Sequence, residues 1–157
     1  TLDGSSAASD VYKRQYGNWP RSGEIDIVET INEKSDELVT TIHYGHDYHR
    51  QISKTTFLNQ LTKLSNPIDH NKISLIWEDK YFEWLLNDQL VFKVNFNEVE
   101  NLEPNPFLEE FYLLINVAVG GNWPGTPNST MYCNSRKSCP DVKKLIVDYI
   151  AYYEKIN

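Results

Sequence analysis

Apolar residues recur at every second position along most of this chain. That period belongs to strands, whose side chains alternate between two faces, and not to helices. "EIDIVETI" from residue 24 and "ELVTTIHYG" from residue 37 both alternate, with a polar "NEKSD" between them. Residues 72–96, "KISLIWEDKYFEWLLNDQLVFKVNF", read as three short strands with turns near Glu78-Asp79 and Asn87-Asp88. Asx-rich dipeptides between alternating apolar runs are hairpin signals. In residues 110–121, "EFYLLINVAVGG", Phe111, Leu113, Ile115, Val117 and Val119 share one face, and Tyr112, Leu114, Asn116 and Ala118 share the other. Residues 143–155, "KKLIVDYIAYYEK", read as a last strand. Residues 46–71 are polar and read mostly as loop, and residues 96–106 as a connection. Many short strands without a long helical pattern predict an all-β sandwich.

Composition narrows the partners. The chain has 157 residues, enough for one domain core, and a net charge of -7. An acidic surface argues against nucleic acid as the main partner, and leaves a neutral ligand such as a glucan open. No stretch is long and apolar enough to span a membrane. Four Trp and ten Tyr are many for this length. Most should pack in the core, and the remainder suit flat platforms on which sugars stack. Cys133 and Cys139 lie close together in "MYCNSRKSCPD" with no second Cys or His pair nearby. They read as one small disulfide, with two free thiols as the alternative. Asn128 opens the sequon "NST" on the same loop, a second pointer to secretion. Residues 1–15 show no strand or helix period, and "SSAASDVYKRQ" resembles a translated linker, so natural sequence is expected to begin near Tyr16.

The chemistry concentrates in "GEIDIVE". Glu24, Asp26 and Glu29 stand within six residues, with no Lys or Arg among them. Alternating acid and apolar residues also describe a plain half-exposed strand. A row of uncompensated carboxylates, however, suits glycosidic cleavage with retention. That reaction needs two carboxyl groups about 5–5.5 Å apart. One attacks the anomeric carbon, while the other first protonates the leaving oxygen and then activates water. A third carboxylate between them can hydrogen-bond the nucleophile and help keep the acid protonated. The odd spacing is the difficulty. On a regular strand Glu29 would face the core with Ile25 and Ile27, where an unpaired carboxylate is costly. A β-bulge between Asp26 and Glu29 would return it to the acid face.

"NWPRSGEIDIVE" resembles the catalytic strand of glycoside hydrolase family 16, in the bulged E-x-D-x-x-E form of its laminarinases, which are endo-1,3-β-glucanases. "TTIHYG", "IWEDKYFEWLLNDQ", "PFLEEFYLLINVAVGGNWPG" and "LIVDYIAYYE" are similar to further segments of that family, in the same order. The resemblance covers residues 16–157 and implies a jelly-roll sandwich of two antiparallel sheets, concanavalin-like, here as a partial catalytic domain without its N-terminal strands. It implies a retaining endo-hydrolase of β-1,3-glucan, with Glu24 as nucleophile, Asp26 as helper and Glu29 as acid/base. His43 would lie near Glu29, Trp19 and Trp123 would be stacking walls for sugars, and Asn116 and Asn122 would contact hydroxyls. Asp148 matches a position where many members hold structural calcium, and the other ligands of that ion would lie upstream. No cofactor is expected for catalysis. The full-length protein is expected to be secreted and monomeric, and this piece to leave sheet edges open.

The sequence departs from the family in three places. Ile76 stands before Trp77 where the family has Glu, Asn87-Asp88 replaces an Asp-Gly turn, and the cysteine-bearing insert is not a general feature. Agar, carrageenan and mixed-linkage glucan are alternative substrates. A non-catalytic glucan-recognition protein of the same fold is the alternative from another class, though such relatives typically lose the catalytic glutamates. A metal site at His43, His46 and His49 is the third reading, disfavoured because three-residue spacing suits a helix better than a strand and loop.

Overall fold

A computed structural model of the chain describes residues 17–31, 34, 36–58, 71–118, 120–126 and 145–156. The segment that resembles a linker, Cys133, Cys139 and Asn128 lie outside the described residues. The chain divides into two compact units, Thr1–Phe111 and Tyr112–Asn157.

The described residues of the first unit form two three-stranded antiparallel sheets. One has the order β1 (Glu24–Glu29), β2 (Glu37–Tyr44), β3 (Arg50–Phe57). The other has the order β4 (Ile73–Glu78), β5 (Tyr81–Leu86), β6 (Gln89–Asn95). Period-two patterning decides which side chains go inside. Phe82, Trp84 and Leu86 alternate along β5 and are all buried. Ile42 and Tyr44 point inward from β2, and Ile25 and Ile52 pack on the same cluster from its neighbours. Each apolar side chain taken from water in this way contributes about 1.5–3 kcal/mol. Phe82 is the hub of the aromatic core. It meets Trp77, Trp84, Phe96 and Phe107 edge-on, with centroids 5.6, 5.6, 4.9 and 5.2 Å away. Edge-to-face rings place positive edges on negative faces, which adds to the gain from burial.

The β5–β6 hairpin turns on Asn87 and Asp88, with φ of 49° and 66°. Two successive positive φ values are the signature of the type I′ turn, and Asn and Asp tolerate them because their short polar chains bond locally. Replacing the usual glycine with Asp88 therefore leaves the hairpin intact. The β4–β5 turn falls at Asp79–Lys80, one residue later than the sequence suggests.

Two expectations change. The stretch 46–71, read mostly as loop, contains β3, which pairs with β2 at every residue from Tyr44↔Arg50 to Glu37↔Phe57. Its polar residues occupy both faces, so it has no apolar alternation to announce it. The signal was its β-branched content, Ile52, Thr55 and Thr56, which fits a pleated, half-buried surface. Conversely, residues 111–118 and 145–156, read as strands, join no ladder among the described residues. In the second unit the one β-bridge among those residues joins Gly121 to Gly125. Leu113, Leu114 and Val117 are exposed there. One uniformly apolar face describes a strand packed between sheets, and a strand inside a sheet needs neighbours on both edges to satisfy its backbone.

Candidate active site

Strand β1 lies antiparallel to β2 with Glu24 opposite His43, Ile25 opposite Ile42 and Asp26 opposite Thr41. The register then slips, and Glu29 stands opposite Val39. From Asp26 to Glu29 β1 advances three residues while β2 advances two, from Thr41 to Val39. The extra residue is the bulge that the odd spacing requires. Residues directly opposite on antiparallel strands share a face, so Glu24, Asp26 and Glu29 all stand on one side of the sheet. The register carries that face across β2 to His43, Thr41 and Val39, and on to Gln51, Ser53 and Thr55 of β3. Thr41 and Ser53 share a 2.9 Å hydrogen bond across the pair. Ile25, Ile42 and Ile52 occupy the other face, against the core.

The turn before β1 sets the position of Trp19. The Asn18 carbonyl accepts from the amide of Arg21 at 2.8 Å, and the Pro20 carbonyl accepts from that of Gly23 at 3.0 Å. Gly23 has φ of 74° and sits against Pro106 and Phe111, where an added Cβ would come within 3.0 and 3.1 Å of their side chains. The tight entry leaves the indole of Trp19 to donate from Nε1 to Oε2 of Glu24 at 2.6 Å. That bond fixes one carboxylate oxygen of Glu24. After β2, Gly45 turns the chain with φ of 128°, where an added Cβ would run into the Tyr48 carbonyl oxygen. The turn brings His49 back over the acid face. The His43 Nε2 lies 2.9 Å from Asp26 Oδ2, and its Nδ1 lies 2.8 Å from His49 Nε2. The two imidazoles stack with centroids 5.0 Å apart, and His49 also meets the Trp19 ring at 4.6 Å.

The electrostatics follow from this crowding. Burial pushes the Glu29 carboxyl above its ordinary range, and the negative charges of Asp26 and Glu24 push it the same way while His43 opposes them. His43 is also raised. Its hydrogen bond to Asp26 outweighs its own burial, and the charges of Asp26, Glu24 and Glu29 add to the rise. The acid face thus holds a carboxyl that favours its proton beside an imidazole that favours its charge. A proton donor and fixed carboxylates on one sheet surface are the elements of acid/base chemistry.

Trp19, His43, Glu24, Asp26 and Glu29 therefore come together. Asn116, Asn122, Trp123 and Asp148 are exposed residues of the second unit. Trp123 lies inside the Gly121–Gly125 turn and is 53% exposed. Among the described residues no group of three or more His, Cys, Asp or Glu is placed to hold a metal ion. Asp148 alone does not suit calcium, which takes 6–8 oxygens. The three histidines of "HYGHDYH" are divided, since the Nδ1 of His46 turns to Asp47 Oδ1 at 2.9 Å while His43 and His49 bond each other. The role of His49 beside the acids is the feature that sequence reasoning missed. So is the polar row Gln51, Ser53 and Thr55. Even spacing of those polar residues after a Gly turn was the available signal.

No family model matches the chain. It is 31% identical to glucan endo-1,3-beta-glucosidase A1 of Niallia circulans over 158 residues, covering 89% of this chain and 20% of that protein. It is 33% identical to glucan endo-1,3-beta-glucosidase of Cryptopygus antarcticus over 116 residues, covering 71% of this chain and 43% of that one. The chain thus spans less than half the length of either relative. Its fold matches the laminarinase catalytic domain from Thermotoga maritima with a TM-score of 0.59 at 26% identity, covering 77% of this chain and 49% of that domain. No helix among the described residues is long and apolar enough to cross a membrane.

Proposed function

We propose, from the premise that this chain belongs to the laminarinase-like glycoside hydrolases of family 16, that the protein hydrolyses β-1,3-glucan internally by a retaining double displacement. The observation that carries the reading is the one-residue bulge in β1, which sets Glu24, Asp26 and Glu29 on one face. Glu24 attacks the anomeric carbon as a carboxylate, and the Trp19 indole orients it. The glycosidic bond breaks as the ester to Glu24 forms, and Glu29 gives its proton to the departing sugar oxygen. Water then attacks the same carbon, Glu29 takes up the water proton, and the ester breaks to restore Glu24. The raised proton affinity of Glu29 suits the first step. Asp26, bonded to His43, supplies part of the negative charge that holds that proton.

The alternative, a protein that binds glucan without cutting it, would have no need for both glutamates, and both are present. The Cys133 and Cys139 pair and the Asn128 sequon support action outside the cell. The test is Glu24→Gln assayed on laminarin, with lichenan and agarose as competing substrates and the anomer of the first product read by NMR. Hydrolysis should disappear while glucan binding remains. Unchanged turnover in the variant, or an inverted first product in the wild type, would overturn the mechanism. Preference for agarose would move the substrate class.

A further inference from the structure

We propose that His49 is a positioning residue that closes a network linking the Glu24 and Asp26 carboxylates. The chain of contacts is continuous: Glu24 to the Trp19 indole at 2.6 Å, Trp19 to His49 at 4.6 Å between rings, His49 to His43 at 2.8 Å, and His43 to Asp26 at 2.9 Å. Each end is a carboxylate oxygen and the middle is aromatic, so the two acids are held through one shared stack.

The hydrogen-bond roles are constrained. The His43 Nε2 faces the Asp26 carboxylate, an acceptor, and so must carry a proton. When His43 is an imidazolium its Nδ1 also donates, and the Nε2 of His49 must accept. When His43 is neutral its Nδ1 accepts, and the Nε2 of His49 must donate. His49 can serve both states by changing tautomer, which no aliphatic residue and no cation could do. The charged groups facing His43 are Asp26, Glu24 and Glu29 of β1, all of which favour its imidazolium. When the His43 imidazolium donates from Nδ1 the Nε2 of His49 accepts, with the two rings stacked at 5.0 Å. His49 thus supports the positive charge beside Asp26 and braces the indole that orients Glu24. Its contacts among the described residues are with the His43 and Trp19 rings, which makes it a positioning residue.

Its kinetic consequence rests on the hydrolase reading above, and its effect on His43 does not. The experiment compares the wild type with His49→Ala and His49→Gln in two measurements. The first follows the His43 ring nitrogens by NMR across pH, without substrate. The His43 midpoint should fall in His49→Ala, because the charge-assisted bond from the imidazolium Nδ1–H to His49 is stronger than the bond made by the neutral ring, and should return toward wild type in His49→Gln, whose amide oxygen accepts. An unchanged midpoint in His49→Ala overturns the proposal. The second measures laminarin hydrolysis. His49→Ala should lower kcat about tenfold with little change in KM, since the reacting groups are misplaced while sugar contacts remain. A kcat within about twofold of wild type overturns the catalytic part. A wild type inert on every glucan defeats the hydrolase reading, and the NMR result still decides whether His49 positions His43. His49 is exposed, so neither substitution removes core packing.

Discussion

The two faces of the β1–β2–β3 sheet obey opposite rules. One carries Ile25, Ile42 and Ile52 into an aromatic and aliphatic core. The other carries Glu24, Asp26, Glu29 and His43, where the acid charges raise the proton affinity of Glu29 and of His43, and Asp26 shares a hydrogen bond with His43. The first face stabilises by removing apolar surface from water. The second spends part of that gain by crowding like charges on a half-buried surface. Fold stability and chemistry are therefore separable along a single strand, residue by residue.

The widest break in this comparison comes from the core side. Phe82→Ala should cost about 3–5 kcal/mol, since it empties the hub of the aromatic cluster. A urea melt measures it, and a loss within the range of ordinary surface substitutions would show that the core is not organised around this ring. Activity should fall only as the folded fraction falls.

Glu29→Gln should do the reverse. Hydrolysis should drop by roughly 10²–10⁴-fold with the loss of the proposed general acid. Stability should rise at neutral pH. Glu29 holds its proton more tightly folded than unfolded, so its contribution is full below the unfolded value of 4.5 and is lost as pH rises through the raised folded value. Above that point the ionised carboxylate is a net cost that Gln removes. Melting temperatures of the two proteins should separate at pH 7 and converge on acidification, and parallel curves would refute the sign.

The finest test is Asp26→Asn. It removes a charge that raises Glu29, second only to burial among the causes, and it outweighs the opposing His43 charge that would weaken with it. The alkaline limb of kcat/KM, where Glu29 loses its proton, should move to lower pH. A limb that stays in place would mean that the Asp26 charge does not help set the acid.

What was legible in the sequence tracks the strength of the physical constraint. The bulge could be read because a carboxylate at odd spacing has no acceptable place in the core, so the backbone had to yield. The β4–β6 meander could be read because its apolar residues alternate and its turns carry Asx pairs. Strand β3 was hidden because an edge strand among the described residues can be polar on both faces, and its pairing is dictated by β2 rather than by its own pattern. His49 was hidden for a related reason. Its neighbours are set by the Gly45 turn, six residues bring it over His43, and nothing local to "HDYH" names the partner. Residues 111–118 failed in the other direction, since alternation states what a strand would bury and not whether a ladder receives it.

The bulge in β1 also has a genetic meaning. Loss of one codon, for Ile27 or Val28, would leave three acids at even spacing on a regular strand, still on one face. The bulged and regular spacings of such a strand are thus one in-frame deletion apart. No carboxylate has to pass through the core on the way.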